Sequence, residues 1–336
     1  MPEPAVPKLL EIDDLRVEFQ TQLGTIKAVD GISYSITAGE TVAIVGESGC
    51  GKSVSALAVL RLVPSPPGRI TGGRILFEGR DLRQVNEEEI RRIRGAKIAM
   101  VFQEPMTSLN PVLSIGVQLT ESMRTHLGLS REQATARAVE LLGLVGISDG
   151  ESRLRQYPHH FSGGMRQRVM IAVALSCDPQ LIIADEPTTA LDVTIQAQIL
   201  ELMKDLTNRL GVALIIITHN LGVVARYADW VNVMYAGRIV DSGATDRLFA
   251  NPRHPYTIGL LNSVPRMDRE AQDRLIPIEG QPPDLGRLDE GCAYRPRCRW
   301  AIEECALSRP PLTAVGDGQH AACFRSGDIP KLLDLV

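Results

Sequence analysis

The stretch 41-TVAIVGESGCGKSVSALAVLRL-62 decides how the rest of the chain is read. Its first five residues are a continuous apolar run, too short for a helix, with Gly39 before it and a glycine-rich turn after it. That is the pattern of a strand buried on both faces of a parallel sheet. The closing run VSALAVLRL is compatible with a helix. Between them Gly46, Glu47, Ser48, Gly49, Cys50, Gly51, Lys52 and Ser53 fit the template G-x-x-x-x-G-K-[ST], in the strand-then-helix context the motif requires. Such glycines let backbone N–H groups curl inward at phosphate oxygens, and the following helix adds its positive N-terminus. Lys52 is placed to neutralise β and γ phosphates, and Ser53 to offer a hydroxyl to Mg2+. Cys50, inside the loop, reads as a small filler residue rather than a reactive thiol.

Outward from this loop, the runs QLIIA (180–184) and VALIIIT (212–218) repeat the buried-strand pattern, each preceded by helical spacing, which implies a doubly wound α/β core. Leu9 to Phe19 and Ala28 to Ile36 alternate loosely and predict a small antiparallel subdomain. From about Leu113 to Arg168 the pattern is helix without strand, and Ser130 is placed to cap one of these helices. An inserted helical subdomain over about 105–168 is the expectation. Beyond Tyr256 the chain turns rich in Pro, Arg and Cys, and a separately organised tail is expected. The resulting division is 8–252 for the core and 253–336 for the tail, in keeping with a chain of 336 residues.

Composition removes some functions. With 36 Lys and Arg against 40 Asp and Glu, a net charge of −4 gives no electrostatic footprint for nucleic acid. No apolar run reaches the roughly 18 residues that span a bilayer, and the N-terminal MPEPAVPKLLEIDDL lacks the order of a secretion signal, so a soluble chain inside the cell is expected.

Two carboxylates, Asp185 and Glu186, stand at the end of the strand LIIA, where an open α/β sheet presents its ligands. Asp185 fits the acid that holds Mg2+, and Glu186 the base that accepts a proton from attacking water.

With Phe161-Ser162-Gly163-Gly164-Met165-Arg166-Gln167 the chain resembles the ATP-binding cassette (ABC) ATPases at their signature motif. The resemblance runs from about Leu9 to Asn251 and implies a P-loop NTPase (RecA-like) core. Gln103, after KIAMVF, is similar to the Q-loop glutamine, Ala190-Leu191-Asp192 to the D-loop, and His219 to the switch histidine. It implies that Gln103 contacts the cation with Ser53 and Asp185, that His219 meets the γ-phosphate, and that Ser162, Gly163 and Gly164 of one cassette cap ATP held by another. Phe19 is the candidate adenine platform. Phe161, Met165 and Asn220 depart from the commonest cassette pattern, which has Leu, Gln and Asp there. Phe161 and Met165 fit one branch of the family, and Asn220 leaves the histidine intact.

Four cysteines fall in the tail as Cys292-x5-Cys298-x6-Cys305-x17-Cys323. By spacing they match neither a paired C-x2-C zinc ribbon nor the compact ferredoxin run, so a 4Fe-4S cluster, tetrahedral zinc and free thiols stay open. The stretches HPYTIGLLNSVP and CAYRPRCRWAIEEC resemble the C-terminal extension of dipeptide and oligopeptide importer ATPases, a branch that also holds nickel importers. That resemblance favours iron–sulfur, and the surrounding Arg295, Arg297 and Arg299 would favour thiolates. It also implies a peripheral ATPase on the cytoplasmic membrane face, paired with a second and different cassette, two transmembrane permease subunits and an extracytoplasmic solute-binding protein. A nickel importer and a nucleic-acid-associated cassette are the alternatives.

Overall fold

The computed structural model describes residues 7–22, 24–104, 108–188, 192–263 and 277–329. The strands in chain order are β1 (Lys8–Thr21), β2 (Gly24–Thr37), β3 (Thr41–Val45), β4 (Gly68–Phe77), β5 (Arg80–Asp81), β6 (Ile98–Val101), β7 (Leu181–Asp185), β8 (Ala213–Thr218), β9 (Trp230–Tyr235), β10 (Arg238–Ala244), β11 (Thr313–Gly316) and β12 (Gln319–Ala321). The chain divides into two compact units, one built mainly of residues 84–217 and the other of 8–35, 42–83 and 218–336.

In the first unit β6, β7 and β8 run parallel, with Ile98 opposite Leu181 and Leu181 opposite Ala213. Every residue of β7 and β8 is buried, which is why both read as unbroken apolar runs. The helices include Ile115–Leu127, Arg131–Leu144, Gly163–Leu175 and Val193–Leu210. Ser130 caps its helix as expected: its hydroxyl accepts from Gln133 N at 3.2 Å, and Gln133 accepts in return from Ser130 N at 2.9 Å. The stretch expected to be helical holds no strand among its described residues, and its signature helix runs on to Leu175.

In the second unit one sheet is antiparallel in the order β2-β1-β4-β5. Sequence reading finds β1 and β2 but not β4, whose alternation is broken by Gly72 and Gly73. Those glycines sit where β1 bulges between Asp13 and Arg16. A Cβ on Gly73, at φ +82°, would lie 2.4 Å from the Asp14 carbonyl oxygen, so the break in pattern is what the bulge requires. Elsewhere in this unit β3 pairs in parallel with β9, Val42 opposite Trp230. A two-residue turn, Ala236–Gly237, with both φ positive, returns β9 into β10, matching the twist of the strands it joins. β12 then pairs with β10, and β11 with β12.

The pairing of β12 with β10 corrects the expectation of a separately organised tail. Tyr256, Tyr294 and Ala322 share one core with Val45 of β3 and Val231 and Val233 of β9. Apolar burial of this kind contributes about 1.5–3 kcal/mol per large side chain. Polar groups tie the same region. Asp30 receives Arg16, Arg238 and Arg309 at 2.9–3.1 Å. Burial alone would raise its carboxyl, but the hydrogen bond and charge of Arg238, with Lys27 and Arg16, hold it below the ordinary range. Asp241, 0% exposed, accepts from Arg253 N and His254 N at 3.1 Å and from Gln319 Nε2 at 3.0 Å.

Buried His254 caps the helix Pro255–Asn262 by accepting from Tyr256 N at its Nδ1, 3.0 Å away. An acceptor nitrogen means a neutral ring, and burial lowers its pKa from 6.5 to about 3. The unfolded chain therefore takes up this proton first, so His254's contribution to stability is complete above pH 6.5 and is lost as pH falls towards 3. Asp241, raised by burial, acts with the opposite sign, which makes the comparison with a variant the diagnostic. Between pH 7 and pH 5 His254 is expected to account for a loss of about 2 kcal/mol. Denaturant unfolding of His254→Asn, which can cap without titrating, should show that component removed; an unchanged difference between the two pH values would mean the ring is charged in the fold.

Candidate functional site

The chain leaves β3 at Val45 and enters the helix Lys52–Val59 after six intervening residues, and two glycines make that curl possible. A Cβ on Gly46 would lie 2.2 Å from the Met234 carbonyl oxygen. One on Gly51, at φ +103°, would lie 2.1 Å from the Ala28 carbonyl oxygen. Both obstacles are backbone, so no side chain fits. Gly51 is also the N-cap and has no side chain to occupy the helix's first N–H groups, the arrangement that suits a phosphate. Lys52, 4% exposed, lies inside the curl and donates to the carbonyls of Gly46 and Glu47 at 2.8 and 2.9 Å. Cys50 is buried and burial raises its thiol, in line with a filler role. Ser48 and Gly49 form the exposed tip, and Ser53 is half-buried in the first helical turn.

Glu47 carries contacts that sequence reading missed. Its N–H donates to Tyr256 Oη at 2.8 Å, and its carboxylate takes the fork of Arg297 at 2.6 and 3.0 Å. The partners lie 209 and 250 residues away, and the one visible signal was an arginine among tail cysteines.

His219 follows Thr218 and is exposed. Beside it Asn220 caps the helix Leu221–Tyr227, accepting from Gly222 N at 2.9 Å, so asparagine does the acceptor's work of the commoner aspartate. Phe19 lies opposite Gly68 of β4, half-buried, in space that a Cβ on Gly68 would enter at 2.8 Å from the ring.

The paired acids belong to the first unit. Asp185 closes β7 and is buried, while Glu186 takes a left-handed φ of +44°, a strained conformation for a side chain of its size. Its N–H is held by the Ile217 carbonyl at 2.9 Å, and its carboxylate accepts from Gln103 Nε2 at 3.1 Å. Gln103 and Glu186, 83 residues apart in sequence, are thus brought together. The signature also begins a helix: Ser162 is the N-cap, its hydroxyl accepting from Met165 N at 3.3 Å and keeping its own proton to donate. Ser162 and Gly163 are exposed, whereas Phe161 is buried with the Arg153 guanidinium 5.9 Å from its ring. Of the D-loop residues, Ala190 and Leu191 lie outside the described residues, and Asp192 is the N-cap of the helix Val193–Leu210.

The expected iron–sulfur cluster, or zinc in its place, is overturned. Cys292, Cys298, Cys305 and Cys323 are free thiols, and among the described residues no group of three or more His, Cys, Asp or Glu is placed to hold a metal ion. The four border a common cavity of ≈ 20 Å³, room for about one water. Arginines nearby do not make thiolates of Cys292, Cys298 and Cys323. Burial dominates, raising Cys292 and pushing Cys298 and Cys323 up to about 11. Cys292 and Cys298 pack against the shared core instead.

Comparison with known proteins bears on this geometry. Residues 29–189 match the family model "ABC transporter", and residues 240–305 match "Oligopeptide/dipeptide transporter, C-terminal region". The oligopeptide transport ATP-binding protein OppD of Bacillus subtilis is 53% identical over 97% of this chain and 92% of its own length. The dipeptide transport ATP-binding protein DppD of the same organism is 50% identical over 94% of each chain. The chain belongs to the ABC transporter ATP-binding family. Among solved structures, the dimeric post-hydrolysis state of the ATP-binding cassette MJ0796, bound to ADP and Pi, is similar with a TM-score of 0.63 and 26% identity, over 70% of this chain and 98% of that one. The fold of this ABC protein is accordingly the ATPase cassette, mixed α/β with an antiparallel sheet, and the chain is an ATPase. Among the described residues no helix is long and apolar enough to cross a membrane.

Because two backbone carbonyls bound the loop, Gly51→Ala is the sharpest test of its geometry. The variant is expected to lose MgATP binding by calorimetry and to melt several degrees lower. Wild-type affinity in Gly51→Ala would show that the curl is not what holds the phosphates.

Proposed function

We propose that this chain is the ATP-hydrolysing subunit of a peptide importer, and the observation that carries the reading is the loop Gly46–Ser53 curled around the Lys52 ammonium. Peptide as cargo rests on relatives named for oligopeptide and dipeptide transport and on the matched C-terminal region. The fold itself does not select the cargo, since function resides in the site and its partners.

The loop's N–H groups and Lys52 bind the triphosphate, and Ser162, Gly163 and Gly164, with donors at a helix start, cap a triphosphate held by a second cassette. Glu186 accepts the proton of the attacking water, with Gln103 fixing the orientation of its carboxylate; His219 meets the γ-phosphate. Phe19 stacks on adenine. Ser53, Asp185 and Gln103 would hold Mg2+, and their hydroxyl, carboxylate and amide oxygens are the hard donors that ion selects. Gln103 turns its amide N–H to Glu186, which leaves its carbonyl oxygen for that task. When bound, the cation would supply charge neutralisation to the triphosphate. Partners follow from the same reading: a second ATPase subunit, two permease subunits, against which the helices of residues 105–168 dock, and a solute-binding protein, with this chain peripheral on the cytoplasmic face. Residues 8–252 form the ATPase part and 253–336 the extension.

Turnover and binding separate these roles. Lys52→Ala is expected to abolish turnover together with MgATP binding. Glu186→Gln should keep MgATP binding while hydrolysis falls by about a hundredfold or more. Rapid turnover by Glu186→Gln would remove Glu186 as the base.

A further inference from the structure

The phosphate loop holds one acid, Glu47, at the point where a triphosphate of like charge must arrive. Left to itself that carboxylate would repel the ligand. Instead it is turned onto Arg297, whose side chain is 5% exposed, through two parallel N–H···O bonds. Arg297 is held on its other sides as well. Its Nε donates to the Glu279 carbonyl at 2.9 Å and its Nη2 to the Gly280 carbonyl at 3.4 Å. Its guanidinium carbon lies 6.0 and 5.9 Å from the ring centroids of Tyr235 and Tyr294. Fully buried Tyr256 fixes the peptide plane at the same residue by accepting from Glu47 N. Further along, Pro282, Pro283 and Leu285 border a small cavity with Ser48, Gly49 and Cys50. Three separate pieces of the C-terminal segment thus meet one side of the loop, and the charged contact among them is the fork on Glu47.

We propose that Arg297 is a positioning residue for nucleotide binding: it draws the Glu47 carboxylate away from the phosphates and cancels its charge. The proposal rests on the reading of Gly46–Ser53 as the ATP loop. Loss of Arg297 frees a negative side chain inside an anion site, and the damage should then come from Glu47 rather than from any loosening of the tail. A purely structural role for Arg297 makes the opposite prediction, because removing the Glu47 charge would not restore a missing anchor.

The full-length chain, titrated calorimetrically with MgATP, distinguishes the two. Arg297→Met is expected to weaken Kd by about tenfold at low salt, with the defect shrinking as ionic strength rises. Adding Glu47→Gln to that chain should bring Kd back to within about threefold of wild type, although the ion pair is absent from both. Should Arg297→Met not fold, Arg297→Lys, which keeps the charge and loses the fork, is expected to stay within about threefold of wild type. Wild-type affinity in Arg297→Met, or a defect that Glu47→Gln leaves untouched, would overturn the proposal; so would a tenfold loss in Arg297→Lys. Failure of the wild-type chain itself to bind MgATP would overturn the ATP reading of the loop, and the proposal with it.

Discussion

The structure depends on a backbone curl that no side chain can share. Gly46 and Gly51 are pressed against the carbonyls of Met234 and Ala28, so the loop is shaped from outside as much as by its own glycines. Met234 belongs to β9 and Ala28 to β2, and the two-residue turn after β9 adds a further tie, Gly237 N donating to the Cys50 carbonyl at 3.0 Å and accepting, at its own carbonyl, from Asp30 N at 2.8 Å. Asp30 in turn gathers three arginines, one of them Arg309 from the tail. A short chain of hydrogen bonds therefore runs from the antiparallel sheet through the β9–β10 turn to the loop. Close packing makes such a chain stiff, and a stiff cradle is what an anion site needs if its N–H groups are to point before the anion arrives.

Sequence is most legible where the chemistry is local. The loop, the paired acids at the end of β7 and the signature at a helix start are each contained in a short run, and β3, β7 and β8 are buried on both faces, so their apolar runs are unambiguous. It is least legible where the decisive partner is far away in the chain. β4 was hidden because Gly72 and Gly73, needed at a bulge, break the alternation that marks a strand. β12 is three residues long, too short for any pattern, and is a strand only because β10 offers it hydrogen bonds. Glu47 reads as a variable position of the motif, and nothing near it announces Tyr256 or Arg297.

The cysteines show the same limit from the other side. Four thiols clustered in sequence, with arginines between them, suggested thiolates and a metal. Two opposing effects act on Cys292 and Cys298: a neighbouring guanidinium, Arg295 or Arg325, lowers the pKa and burial raises it. Burial wins, since Cys292 and Cys298 lie against the apolar core that Tyr256 and Tyr294 build with β3 and β9. The arginine with a decisive role, Arg297, points at Glu47 and not at its sulfur neighbour.

Thermodynamic reciprocity gives that contact a consequence for the whole second unit. If the C-terminal segment holds the loop in the shape that binds a triphosphate, then a bound triphosphate must hold the segment against the loop by the same free energy. The coupling has a short physical path, consisting of one ion pair, one hydrogen bond to a buried tyrosine and the turn residues Ile278 to Gly280 that grip the guanidinium. The extension's cost in conformational entropy is offset by core burial, where Tyr256, Tyr294 and Ala322 pack with Val45, Val231 and Val233.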